Sequence, residues 1–119
     1  MGFPNVKVEL ECLRESRGKH EVELLEDTGA LYSMVPAGVL REAGVEPRLQ
    51  IEFEIADGSR IRRNVGEARF HFNGSSAVSR VIFGNENDAG GLGVVALEEL
   101  GLEVDPVNKQ LRPARMILY

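Results

Sequence analysis

Cysteine, histidine, long apolar runs and basic charge are all scarce in this 119-residue chain, and each scarcity removes a class of protein. The single cysteine, Cys12, excludes an internal disulfide and fits a reducing, cytoplasmic compartment. One cysteine and two distant histidines, His20 and His71, are a poor ligand set for zinc. No apolar run approaches the roughly 20 residues that a membrane-spanning helix needs. No basic-then-apolar leader is visible either, so no membrane association is expected. Lysine and arginine number 14 against 19 acidic residues, giving a net charge of −5. Nucleic acid is therefore an unexpected partner, since its binding needs a basic face. Hydrophobic residues at 43% and charged residues at 28% suit a globular chain, and the length suits one domain over residues 1–119.

Present instead is a succession of short alternating runs. Val6, Val8, Leu10 and Cys12 share one face of a period-two segment, and His20-Glu21-Val22-Glu23-Leu24-Leu25-Glu26 returns as its hairpin partner. Leu49, Ile51, Phe53 and Ile55 alternate with polar residues up to Asp57-Gly58, a hairpin turn signal. The chain then runs back through Phe72 and turns again at Asn73-Gly74, with Gly66 suggesting a bulge or bend. Three hairpins in the first 84 residues predict an all-β fold. Short helices are expected after Pro36, ending before Gly44, and over Ala96-Leu97-Glu98-Glu99-Leu100, ending at Gly101. A last hairpin turns at Asp105-Pro106-Val107-Asn108, and residues 116–119 form an apolar tail of the kind that contacts another chain.

Asp27-Thr28-Gly29-Ala30 lies between two apolar strands and can present one carboxylate at the end of a sheet. The residue before it breaks the pattern. Glu26 shares a face with Val22 and Leu24, so a core-side position carries a carboxyl that must be paired, protonated or twisted out to water. Other candidates have plainer readings. Cys12 on an apolar face reads as core, and Asp57-Gly58 as a turn. Asp88 in a glycine-rich loop lacks the oxygen spacing of a calcium loop. Arg60, Arg62, Arg63 and Arg69 read as a solvated stripe, with a preference for acidic substrates as the alternative.

Three stretches together resemble the retropepsin-like aspartic protease family, in particular its small single-domain members in bacteria and archaea. They are Leu24-Leu25-Glu26-Asp27-Thr28-Gly29-Ala30 with Ser33-Met34-Val35-Pro36, then Ile55-Ala56-Asp57-Gly58-Ser59, then Gly91-Leu92-Gly93-Val94-Val95 running on to Asp105-Pro106. Glu26 stands where the family pattern has an apolar residue, and Gly91-Leu92 where it has an apolar pair.

The resemblance implies a closed β-barrel with one or two short helices, completed as a twofold homodimer, and an aspartic endopeptidase. Asp27 would be the catalytic residue. Thr28, Gly29 and Ala30 would support it, Gly29 through its backbone N–H. Ala56, Asp57, Gly58 and Ser59 would form a flap over an extended peptide substrate. Such hydrolysis uses two carboxylates sharing a proton around one water and needs no metal or organic cofactor. The chain has one Asp-Thr-Gly, so the second carboxylate would be Asp27 of another copy. The alternative is a catalytically inactive dimeric module of the same fold that binds extended peptides.

Overall fold

This computed structural model describes residues 5–15, 17–27, 29–85, 88 and 90–118. Alternation is the cause of most of it. Strand β1 (Asn5–Glu11) turns Val6, Val8 and Leu10 inward, and β2 (His20–Glu26) pairs with it antiparallel, Val6 opposite Leu24 and Val8 opposite Val22. After the Asp27 turn come β3 (Ser33–Pro36) and helix α1 (Ala37–Glu42). Pro36 caps α1 without a donor to lose, and Gly44 closes it in left-handed backbone. Strands β4 (Leu49–Glu54), β5 (Arg60–Phe72) and β6 (Ser75–Gly84) follow as two successive hairpins sharing β5. Then come the two-residue β7 (Gly91–Leu92), helix α2 (Val94–Glu99), and the separate hairpin of β8 (Leu102–Val104) and β9 (Leu111–Pro113).

Seven strands make one sheet in the order β1-β2-β7-β3-β6-β5-β4, and β1 pairs β5 as well over Glu9–Glu11. The sheet thus curls back so that strands early and late in its order enclose one apolar interior. Phe70, Leu10, Leu24, Leu40, Leu92, Val8, Val35 and Val81 are among its largest fully buried apolar side chains.

Gly66 makes no bulge. Its pairing with Val81 is regular, and glycine is needed there because a Cβ would sit 2.7 Å from the Glu46 carbonyl oxygen and 3.1 Å from the Phe83 ring. Cys12 lies just beyond β1, half-buried, and its thiol donates to the Gly44 carbonyl (3.3 Å). Three arginines of the stripe face carboxylates. Arg60 and Arg62 face Glu52, and Arg63 faces Asp88 (3.4 Å). Met116, Ile117 and Leu118 are exposed, whereas Tyr119 lies outside the described residues.

Candidate active site at the end of strand β2

Topology builds the site. β2 and β3 are consecutive in sequence, yet β7 lies between them, parallel to β2 and antiparallel to β3. Inserting a strand between two neighbours forces the connection joining them to loop over its end, and that connection holds Asp27. Two sets of backbone bonds fasten it. On the β2 side, Leu25 N–H donates to the Gly90 carbonyl (3.1 Å) and Asp27 N–H to the Leu92 carbonyl (3.0 Å). On the β3 side, Val94 and Val95 N–H donate to the carbonyls of Ala30 (2.9 Å) and Leu31 (3.0 Å). The buried Ser33 hydroxyl accepts from Gly93 N–H (2.9 Å).

Within this clamp the Asp27 carboxylate is exposed and shaped by its own turn. Its Oδ1 accepts from Gly29 N–H (3.0 Å), and Ala30 N–H donates to the Asp27 carbonyl (3.2 Å). Thr28 lies outside the described residues. Sequence reasoning saw Gly91 only as a lost apolar residue, but it stands beside the carboxylate. A Cβ there would lie 3.5 Å from the Asp27 Cβ and 3.8 Å from Oδ2. The weight of the apolar pair falls on Leu92, which is fully buried. Gly93 permits the closest approach in the clamp, since a Cβ would fall 2.5 Å from the Tyr32 carbonyl carbon.

Directly before Asp27, Glu26 points the other way, into the core. It is only 2% exposed, and its Oε2 has no hydrogen-bond partner among the described residues. Burial pushes its titration above the ordinary carboxylate value of 4.5, because the charged form loses its hydration without gaining a cation.

The expected flap residues occupy the tip of the β4–β5 hairpin. Ile55 N–H bonds the Ser59 carbonyl (2.8 Å), and Gly58 N–H bonds the Ile55 carbonyl (2.9 Å). The Asp57 carboxylate accepts from the hydroxyl and the N–H of Ser59, and these bonds hold it below its ordinary value of 3.8. Ala56 is exposed beside them. The structure brings together Asp27, Gly29, Ala30 and Gly91 and leaves residues 56–59 on their own hairpin. Among the described residues no group of three or more His, Cys, Asp or Glu is placed to hold a metal ion, and no helix is long and apolar enough to cross a membrane.

No family profile and no curated protein matches the sequence. Solved structures do match the fold. The chain superposes on the solution structure of the simian foamy virus (mac) protease with a TM-score of 0.56 at 17% identity, covering 80% of this chain and 92% of that one. It superposes on the EIAV protease complexed with the inhibitor HBY-793 with a TM-score of 0.61 at 16% identity, covering 97% and 92%. The mostly-β fold described here is therefore the fold of retroviral proteases.

Proposed function

We propose that this protein is an aspartic endopeptidase whose active form is a twofold homodimer with a closed barrel in each copy, one Asp27 carboxylate coming from each. The observation that carries this reading is the placement of Asp27: an exposed carboxylate on a turn clamped from both sides by the Gly91–Val95 segment, in a fold shared with two viral proteases. The resemblance to small single-domain bacterial and archaeal members and the cytoplasmic setting rest on the sequence alone.

In the proposed reaction a water molecule lies between the two carboxylates, which hold one proton between them. The ionised member takes a proton from the water as its oxygen attacks the peptide carbonyl, while the protonated member gives its proton to the carbonyl oxygen. The resulting tetrahedral diol collapses as the amine leaves with a proton returned from the pair. Gly29 N–H keeps Oδ1 aimed during these transfers, so little reorganisation accompanies the charge movement. The space left open by Gly91 allows substrate to approach the carboxylate, and the β4–β5 hairpin turn closes over an extended peptide.

Cleavage of an unstructured protein such as casein, scanned from about pH 3 to 7, tests the reading with D27N alongside. Cleavage abolished in D27N supports it. A dimeric sample that cleaves nothing across the range overturns it in favour of the second reading, an inactive dimeric peptide-binding module. The observation that favours that module is Glu26, a buried carboxyl whose Oε2 has no partner among the described residues, directly before the residue that would do the chemistry. D27N would leave the module's peptide affinity nearly unchanged.

A further inference from the structure

Glu26 is the one titratable side chain among the fully buried residues described; the other buried polar groups are the hydroxyls of Ser33 and Ser79. Its own strand end is held laterally by β7. Among the described residues the pairing of β2 with β1 covers His20 to Leu25, and Glu26 pairs with Leu92 of β7. β7 is itself two residues long. The strand end that carries the anomalous carboxyl is thus tied laterally by a short ladder whose bonds include Leu25 N–H to Gly90 and Asp27 N–H to Leu92.

Among the described residues no charge facing Glu26 offsets this. On β1 the inward residues are Val6, Val8 and Leu10, while Lys7 and Glu9 point to solvent and Glu11 lies half-buried against His71. β7 contributes Gly91 and Leu92, and β3 contributes Ser33, Met34 and Val35, none of them charged. On α2, Ala96 and Leu97 are buried while Glu98 and Glu99 are exposed. On β5 and β6 the inward residues are Ala68, Phe70, Ala77, Ser79, Val81 and Phe83. Arg60, Arg62, Glu67 and Arg80 are exposed there, and Arg63, Arg69 and His71 are partly so.

We propose that Glu26 is a proton-dependent positioning residue: protonated, it stays in the core and keeps the end of β2, and so Asp27, in the clamped geometry; ionised, it draws that strand end toward water and releases the clamp. A neutral carboxyl in an apolar interior forgoes one or two hydrogen bonds, whereas a bare carboxylate there forgoes far more hydration. Sheet geometry supplies the exit. Side chains alternate faces, so bringing Glu26 to solvent requires the strand end to rotate, and the rotation carries Asp27 with it. Any consequence for turnover, namely loss of activity above the titration of Glu26, rests on the protease reading. The proton-dependence of the strand end does not.

The direction follows from linkage. Burial displaces the titration of Glu26 upward, so its contribution to stability is complete below the unfolded value near 4.5 and is lost as pH climbs through the folded value. Thermal unfolding of the full chain from pH 4 to 8 tests this, comparing D27N with E26Q/D27N so that Asp27 does not titrate. The melting temperature of D27N should fall relative to that of E26Q/D27N by about 5 °C for each pH unit of displaced titration. Amide exchange then reads the positioning role: at Leu25 and Asp27→Asn, protection in D27N should drop about tenfold per pH unit relative to E26Q/D27N at the same pH. A melting difference that is constant with pH overturns the proposal. So does a pH-dependent difference that leaves protection at those two amides unchanged. If E26Q/D27N does not fold, E26L/D27N replaces it, with the same outcomes. A chain that cleaves no casein but shows both effects keeps this inference and loses the protease reading, and the converse pattern does the reverse.

Discussion

Gly93→Ala is expected to be among the most damaging single-methyl additions in the chain. The backbone there (φ −84°, ψ 170°) is extended and open to any L-residue, so conformation is not the obstacle. Space is. The added carbon would lie 2.5 Å from the Tyr32 carbonyl carbon, 2.7 Å from its oxygen and 2.8 Å from the Leu31 oxygen, all backbone atoms that cannot swing aside. Ordinary carbon contacts begin near roughly 3.5 Å, so the two segments must separate by about 1 Å. Overpacking of this kind costs about 1–3 kcal/mol. The displaced atoms also carry the bonds from Gly93 N–H to Ser33 and from Val95 N–H to Leu31, each contributing about 1 kcal/mol net. The expected loss is about 2–4 kcal/mol, a large part of the roughly 5–15 kcal/mol of a typical domain. At about 4 °C per kcal/mol the melting temperature should drop by about 8–16 °C. Gly38→Ala is the control, since a Cβ there meets nothing within 4 Å and lies inside α1. Alanine's better helix propensity should stabilise it by about 0.5–1 kcal/mol. Urea unfolding followed by circular dichroism measures both. A Gly93→Ala protein within about 0.5 kcal/mol of the parent would refute the close packing of β7 against the Asp27 connection.

Two further outcomes follow from the same geometry. Ser33→Ala keeps the side-chain volume nearly unchanged but leaves Gly93 N–H buried without an acceptor, so it should cost about 1–3 kcal/mol in urea unfolding; an unchanged midpoint would remove Ser33 from the clamp. Deleting residues 116–119 removes the exposed Met116, Ile117 and Leu118, which the proposed dimer buries between copies, and should weaken self-association in sedimentation equilibrium without lowering the unfolding midpoint of the monomer; equal association of the two forms would take the tail out of the interface.

Local periodicity carried much of the fold. The hairpins of β1–β2, β4–β5 and β5–β6, the first helix and the last hairpin lie where alternation and turn residues place them, because each depends on neighbours a few residues apart in sequence, while α2 starts at Val94, two residues before the expected Ala96. Glu26 was legible for the same reason. Period two puts it on the core face with Val22 and Leu24, and the structure keeps it there. That its Oε2 has no partner among the described residues was not legible, because the groups that surround it come from other strands and the far side of the core. Gly66 shows the same limit. A glycine inside a strand pattern signals a special backbone position, but whether that is a bulge or a close approach depends on Glu46 and Phe83, which the local sequence does not bring near.

β7 marks where pattern reading stops, and it is also where the site is made. Two residues are too few to show a period, so Gly91-Leu92 reads as a degraded apolar pair. Placed between β2 and β3, the same two residues divide the labour. Leu92 fills the core and pairs with Glu26, while Gly91 leaves room beside the Asp27 carboxylate. The bonds that then fix the turn join residues far apart in sequence, Gly93 and Ser33 being separated by 60. Contacts of that range form only once the surrounding sheet is assembled, because closing so long a loop has an entropic cost that two residues of ladder cannot offset alone. The carboxylate is therefore presented by the whole sheet and not by its tetrapeptide. An Asp-Thr-Gly turn outside this topology has the same residues and lacks the clamp.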